Sequence, residues 1–129
     1  MLDHFGFVVK DLERAVAFYE NCLAPIGLQI IERHDYGAVI FARSQTDEFP
    51  FIWIGTAKPN FWNESHKPSR SPIHLCFKAT SKESVDKFHM AAVEFGGTDN
   101  GKPGERDRGY YAAYVIDPDG NNIEAGFRD

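Results

Sequence analysis

An internal repeat constrains this chain more than any other feature. His4-x-x-Phe7 returns as His74-x-x-Phe77, and in the same register, 70 positions on, Asp11 falls on Ser81, Glu13 on Glu83, Phe18 on Phe88 and Gly27 on Gly97. After one inserted residue, Ile52-Trp53-Ile54-Gly55 falls on Ile123-Glu124-Ala125-Gly126. A duplicated unit of this length implies two copies of one supersecondary motif.

The two copies read alike. Leu2 to Val9 is rich in β-branched and aromatic residues, which predicts a strand, and Asp11 is placed to cap a following helix. Leu12, Ala15, Val16, Tyr19, Cys22, Leu23 and Ile26 recur at helical spacing until Pro25 and Gly27 stop the segment. Strands are predicted at Gln29 to Arg33, Ala38 to Arg43 and Phe51 to Gly55. Residues 1–56 thus spell βαβββ. Residues 57–72 (AKPNFWNESHKPSRSP) carry neither period and read as a linker or long loop.

The pattern restarts over residues 73–129. Ile73 to Ala79 predicts a strand, Thr80-Ser81-Lys82-Glu83 a capping box, and Val85, Phe88, Ala92 and Phe95 one face of a helix that Gly96-Gly97 ends. Short strands are expected around Thr98 and at Tyr111 to Ile116. The turn Asp117-Pro118-Asp119-Gly120 then leads into a last strand, Asn122 to Phe127. The expectation is an α+β fold: one domain over 1–129, built of two βαβββ modules.

Charge narrows the function. The net charge is -5 and no block of five basic residues occurs, so the electrostatic footprint of a nucleic-acid binder is missing. No apolar run is long enough for a membrane span, and the opening MLDHFGF has no leader pattern, so a soluble cytoplasmic protein is expected. Cys22 and Cys76 sit in apolar patterns without a C-x-x-C pair, which predicts buried free thiols. Alternation puts His4 on one strand face with Gly6 and Val8, away from Phe5, Phe7 and Val9; Lys78 likewise shares a face with His74. A Glu inside Ile123-Glu124-Ala125 is hard to explain as packing, because a buried carboxylate needs a partner. His34, His66 and His89 read as structural or surface residues.

With its opening L-D-H-F-G-F-V-V-K-D-L-E-R-A-V-A-F-Y and its close Y-V-I-D-P-D-G-N-N-I-E, the whole chain resembles the vicinal-oxygen-chelate superfamily of glyoxalase I, bleomycin-resistance proteins, extradiol dioxygenases and fosfomycin-resistance transferases. The resemblance implies paired βαβββ modules forming a cupped mixed sheet around one metal, with ligand positions here at His4, Trp53, His74 and Glu124. Three of these residue types can bind a metal. His4, His74 and Glu124 form a two-histidine, one-carboxylate set suited to Fe, Mn, Ni, Co or Zn, with open positions for two adjacent substrate oxygens. Trp53 departs from the pattern: an indole replaces the carboxylate that glyoxalase I uses as ligand and base, so a glyoxalase I reaction is not expected. Trp53 is then a wall of the substrate pocket or a filler of the sheet.

Tyr111 lies near the place of a substrate-orienting tyrosine in dioxygenase relatives, with Tyr110 and Tyr114 as competitors for that role. Lys78, Arg106 and Arg108 are candidate ligands for an anionic substrate. The functional expectation is a metal-dependent enzyme of lyase-like or dioxygenase-like type on a small oxygen-rich metabolite. The alternative is a metal-free drug- or metabolite-binding protein of the bleomycin-resistance kind. A homodimer is expected, because relatives of this length commonly pair and 14% aromatic content leaves apolar surface for a partner.

Overall fold

The computed structural model describes residues 1–56 and 72–129. The predicted loop falls almost wholly outside the described residues, His66 included. The first module runs β1 (His4–Val8), α1 (Leu12–Leu23), β2 (Gln29–His34), β3 (Ala38–Ala42) and β4 (Phe51–Gly55). The second runs β5 (His74–Lys78), α2 (Lys82–Glu94), β6 (Thr98–Asp107), β7 (Tyr110–Ile116) and β8 (Asn122–Arg128). Each module folds its own four-stranded sheet, ordered β1-β4-β3-β2 and β5-β8-β7-β6. In both, the first and last strands pair in parallel and the other neighbours are antiparallel. No ladder joins β1 to β5, so the mixed sheet is two sheets, not one.

Local chemistry sets the helix ends. The Asp11 side chain accepts from the Arg14 backbone N–H at 3.1 Å, as an N-cap should. After Leu23 the chain tightens into a 3-10 turn, Ala24–Ile26, whose closing Gly27 sits at φ 91°. The second cap lies one residue later than its capping box suggests. Ser81, not Thr80, accepts from the Ser84 N–H at 3.1 Å, and Glu83 pairs with Lys87 along the helix. The strand expected around Thr98 extends to Asp107 because repeated register shifts let the Gly-rich stretch follow β7.

Both helices bury one face in a common core. Phe18, Tyr19, Cys22 and Leu23 of α1 meet Val85, Phe88 and Ala92 of α2, with Phe41, Ile54, Val115 and Ile123 from the two sheets. The repeat therefore encodes two modules packed helix to helix. Asp117-Pro118-Asp119-Gly120-Asn121 locks them further. Asp117 Oδ1 accepts from the Asp119 and Asn121 N–H groups, while Oδ2 takes the Tyr19 hydroxyl of α1. Asp119 Oδ1 accepts from the Lys10 N–H at 3.1 Å, and Asn121 Oδ1 from the Ile73 N–H at 3.1 Å.

Burial corrects one cysteine. Cys22 is buried, and burial pushes its thiol pKa up. Cys76, expected to be buried, is exposed because it alternates with Leu75 and Phe77, which take the core side of β5.

Candidate active site

Register builds a polar cluster on the open face of the second sheet. Cys76 and Tyr114 both stand opposite Glu124, Lys78 opposite Gly126, and Tyr110 opposite Arg128. Glu124 is 5% exposed, yet every carboxylate oxygen has company. His74 Nε2 lies 3.1 Å from Oε2, and the Tyr110 hydroxyl donates to Oε1. Because that hydroxyl is committed as a donor to Glu124, the Cys76 thiol 3.5 Å away is the group that donates to it. The Arg128 guanidinium covers the Tyr110 ring at 3.8 Å, and Arg106 covers Tyr114 at 5.2 Å. Burial, followed by the bond to Glu124, holds the Tyr110 phenol far above its ordinary pKa. Burial also raises the Cys76 thiol, so both stay protonated at neutral pH.

The first sheet carries the same positions with other chemistry. Trp53 stands opposite Gly6 and Ile40, as Glu124 stands opposite Cys76 and Tyr114. Its indole lies along the strands, where a Cβ on Gly55 would come within 2.7 Å of the ring. The indole N–H donates to the Tyr36 hydroxyl at 3.2 Å, and Tyr36 stacks on His34 at 4.8 Å. His4 stacks flat on Phe51 at 4.6 Å and pairs with Asp3 at 2.7 Å. Together His4, His34, Tyr36, Ile40, Phe51 and Trp53 wall a cavity of about 550 Å³. His34, read from sequence as structural or surface, is therefore part of a pocket.

The expected site residues separate accordingly. His74 and Glu124 come together, Lys78 is exposed on the same strand, and Arg106 approaches through Tyr114. His4 and Trp53 belong to the other open face. Among the described residues no three His, Cys, Asp or Glu side chains gather to hold a metal ion. Tyr111 turns toward the helix layer, where its hydroxyl donates to Asp86 at 2.7 Å and Lys82 sits over its ring. Arg108 occupies the exposed β6–β7 turn, its backbone N–H bonded to Asp107. Tyr110 and Cys76 are the members of the cluster that sequence reasoning underweighted. The signal is in the sequence: Cys76 shares parity along β5 with His74, and Tyr110 along β7 with Tyr114.

The donor chemistry suits a divalent cation, since imidazole nitrogen and carboxylate oxygen are ligands for borderline first-row ions. One His and one Glu are a partial shell, to which His4 would add a third donor.

The sequence profile of the Glyoxalase/Bleomycin resistance protein/Dioxygenase superfamily matches residues 1–125. The chain belongs to that superfamily. Among solved structures it is similar to a glyoxalase/bleomycin resistance protein of Albidiferax ferrireducens T118, with 29% identity, a TM-score of 0.77, and 100% of this chain and 99% of that one covered. It shares its fold with a glyoxalase-related enzyme of Fulvimarina pelagi at 18% identity and TM-score 0.71, covering 99% of this chain and 88% of that one. The same holds for a lactoylglutathione lyase of Agrobacterium tumefaciens at 20% identity and TM-score 0.67, covering 98% and 92%. No curated protein matches the chain. No helix among the described residues is long and apolar enough to cross a membrane.

Proposed function

We propose that the chain is a metal-dependent enzyme of lyase-like or dioxygenase-like type, acting on a small oxygen-rich metabolite. One observation carries the reading: a buried carboxylate, Glu124, stands beside His74 on an open sheet face. Desolvating an ion costs several kcal/mol, on the order of magnitude known for buried charges, so such a carboxylate is kept where a cation or strong donors meet it. His74 and Glu124, with His4 of a second copy, would hold one divalent ion, which when bound polarises adjacent substrate oxygens. Around them, Lys78, Arg106 and Arg128 supply positive charge for an anionic substrate. Tyr114, opposite Glu124 and with its phenol kept protonated by burial, is the tyrosine best placed to donate a proton there.

A second copy is supported in three ways. His4 stands apart from the pair it would complete. Among the described residues no strand pairs with the outer edges of β1 and β5, which flank an apolar trough of about 330 Å³ lined by Leu2, Phe5, Phe51, Leu75 and Phe77. Charge is complementary as well, with Glu32 and Glu48 at the first module's cavity and Lys78, Arg106 and Arg128 in the second module.

The test is metal analysis of protein made without a histidine tag, beside an activity screen of catechols and hemithioacetals. About one ion per chain is expected, lost in His4→Ala, His74→Ala and Glu124→Ala, because an incomplete shell binds weakly. A full metal complement in all three variants rejects the site. A second reading, metal-free binding of an aromatic metabolite, draws on the Trp53 cavity; stoichiometric binding of such a ligand by metal-free protein, with no turnover under any metal, would favour it.

A further inference from the structure

Resting on that metal-site reading, we propose that Tyr110 is a positioning residue that fixes Glu124 to coordinate through a single oxygen, Oε2. The observations are geometric. The Tyr110 hydroxyl donates to Glu124 Oε1, whereas Oε2 is the atom facing His74 Nε2 at 3.1 Å. With Oε1 tied to the phenol, the plane of the carboxylate is set and Oε2 is the oxygen turned toward His74, the other proposed ligand.

The phenol itself is held on three sides. Beneath it lies Gly126, where an added Cβ would meet the ring at 2.7 Å. Above it lies the Arg128 guanidinium, 3.8 Å from the ring centre. At its oxygen the Cys76 thiol donates from 3.5 Å. Any side chain at 126 would expel the ring, so the glycine is a condition for the contact. In the first module the Tyr36 hydroxyl, in the turn between β2 and β3, accepts from the Trp53 indole. In the second module the Tyr110 hydroxyl donates to the Glu124 carboxylate instead. Groups that orient a metal ligand typically contribute about 10–100-fold in metal affinity.

The experiment is titration of the full chain with Co(II) alone, followed by affinity and by the visible absorption of the bound ion, which reports coordination number. Tyr110→Phe removes only the hydroxyl. It is expected to weaken Co(II) binding about 10–100-fold and to change the absorption band as Glu124 gains freedom to chelate through both oxygens. Tyr111→Phe, which removes the neighbouring hydroxyl on the helix side, should leave both unchanged. Gly126→Ala keeps the phenol but displaces it, and should reproduce the spectral change. Circular dichroism of each variant establishes that it is folded. Should Tyr110→Phe lose the fold, Gly126→Ala decides the matter alone. Wild-type protein that binds Co(II) with folded Tyr110→Phe or Gly126→Ala identical to it in affinity and spectrum overturns the positioning role and leaves the metal site standing. Wild-type protein that binds no Co(II) overturns the metal site, and this role with it.

Discussion

Tyr19, in the middle of the first helix, donates its hydroxyl hydrogen to Asp117, in the turn before the last strand, and so ties the two halves of the repeat together inside the core. Asp117 is 4% exposed and also accepts from three nitrogens of its own turn. Burial pushes the Tyr19 phenol well above its ordinary pKa, with the Asp117 charge adding to the rise. Tyr19→Phe keeps the packed ring and deletes this bond. Because the acceptor is a charged, buried carboxylate, a loss of about 1.5–3 kcal/mol is expected. Urea unfolding measures it, and a midpoint unchanged from wild type would show that the bond contributes nothing net.

Asp119, in the same turn, supplies a pH signature. Burial raises its pKa above the ordinary carboxylate range, partly offset by the Lys10 N–H and Arg14. A carboxyl that binds its proton more tightly folded than unfolded costs stability while ionised, and the cost disappears as pH falls below its unfolded pKa. Asp119→Asn removes this titration. The stability difference between variant and wild type should move in the variant's favour as pH rises from about 3.5 to neutrality and then stay level. Chemical denaturation at several pH values checks this; a difference independent of pH would show that Asp119 titrates as it does in the unfolded chain.

Assembly can be tested by mixing two dead proteins. If His4 of one copy completes the His74–Glu124 pair of another, His4→Ala and Glu124→Ala homodimers bind no metal, whereas a mixed dimer of the two retains one intact site. Refolding equal amounts of the variants together makes about half the dimers mixed, each with one site of two, and should restore about a quarter of the metal of an equal amount of wild type. A mixture as empty as its parents means that each site is built within one chain. Leu75→Glu, in the trough beside the free edges of β1 and β5, is expected to yield monomers by sedimentation.

The repeat made most of this fold legible from sequence. Strict alternation in His74-Leu75-Cys76-Phe77-Lys78 fixed which side chains leave the core, and the capping residues bounded both helix starts within about a residue, while the first α-helix gives way to a 3-10 turn three residues before Ile26. Cys76 departs from its expected burial because parity, not residue type, decides which side of a strand a residue takes. Tyr111 and Tyr110 could not be separated for a different reason: adjacent residues on a strand face opposite ways, and parity is countable only once the start of the strand is known. The β6 bulges erased that reference. The equivalence of Trp53 with Glu124 is marked by the glycine two residues after each, Gly55 under the Trp53 indole and Gly126 under the Tyr110 ring.

That equivalence supports the sharpest chemical prediction. The indole N–H of Trp53 is donated to Tyr36, and an indole has no lone pair to take a proton at neutral pH. Isomerising the methylglyoxal–glutathione hemithioacetal moves a proton between adjacent carbons and needs a base over the substrate. Losing a positioned base costs ~10²–10⁴ in rate, so this reaction should be slow or absent whichever metal is supplied. Trp53→Glu places a carboxylate at the register position matching Glu124. The indole is 7% exposed, so losing it should cost about 3–5 kcal/mol of stability. If the protein stays folded by circular dichroism, the added donor should tighten metal binding about tenfold, equivalent to 1.4 kcal/mol. Ordinary glyoxalase turnover by wild type, at about 10²–10³ per second, would contradict the role given to the indole. Unchanged metal affinity in folded Trp53→Glu would mean that the first module's cavity does not face the ion.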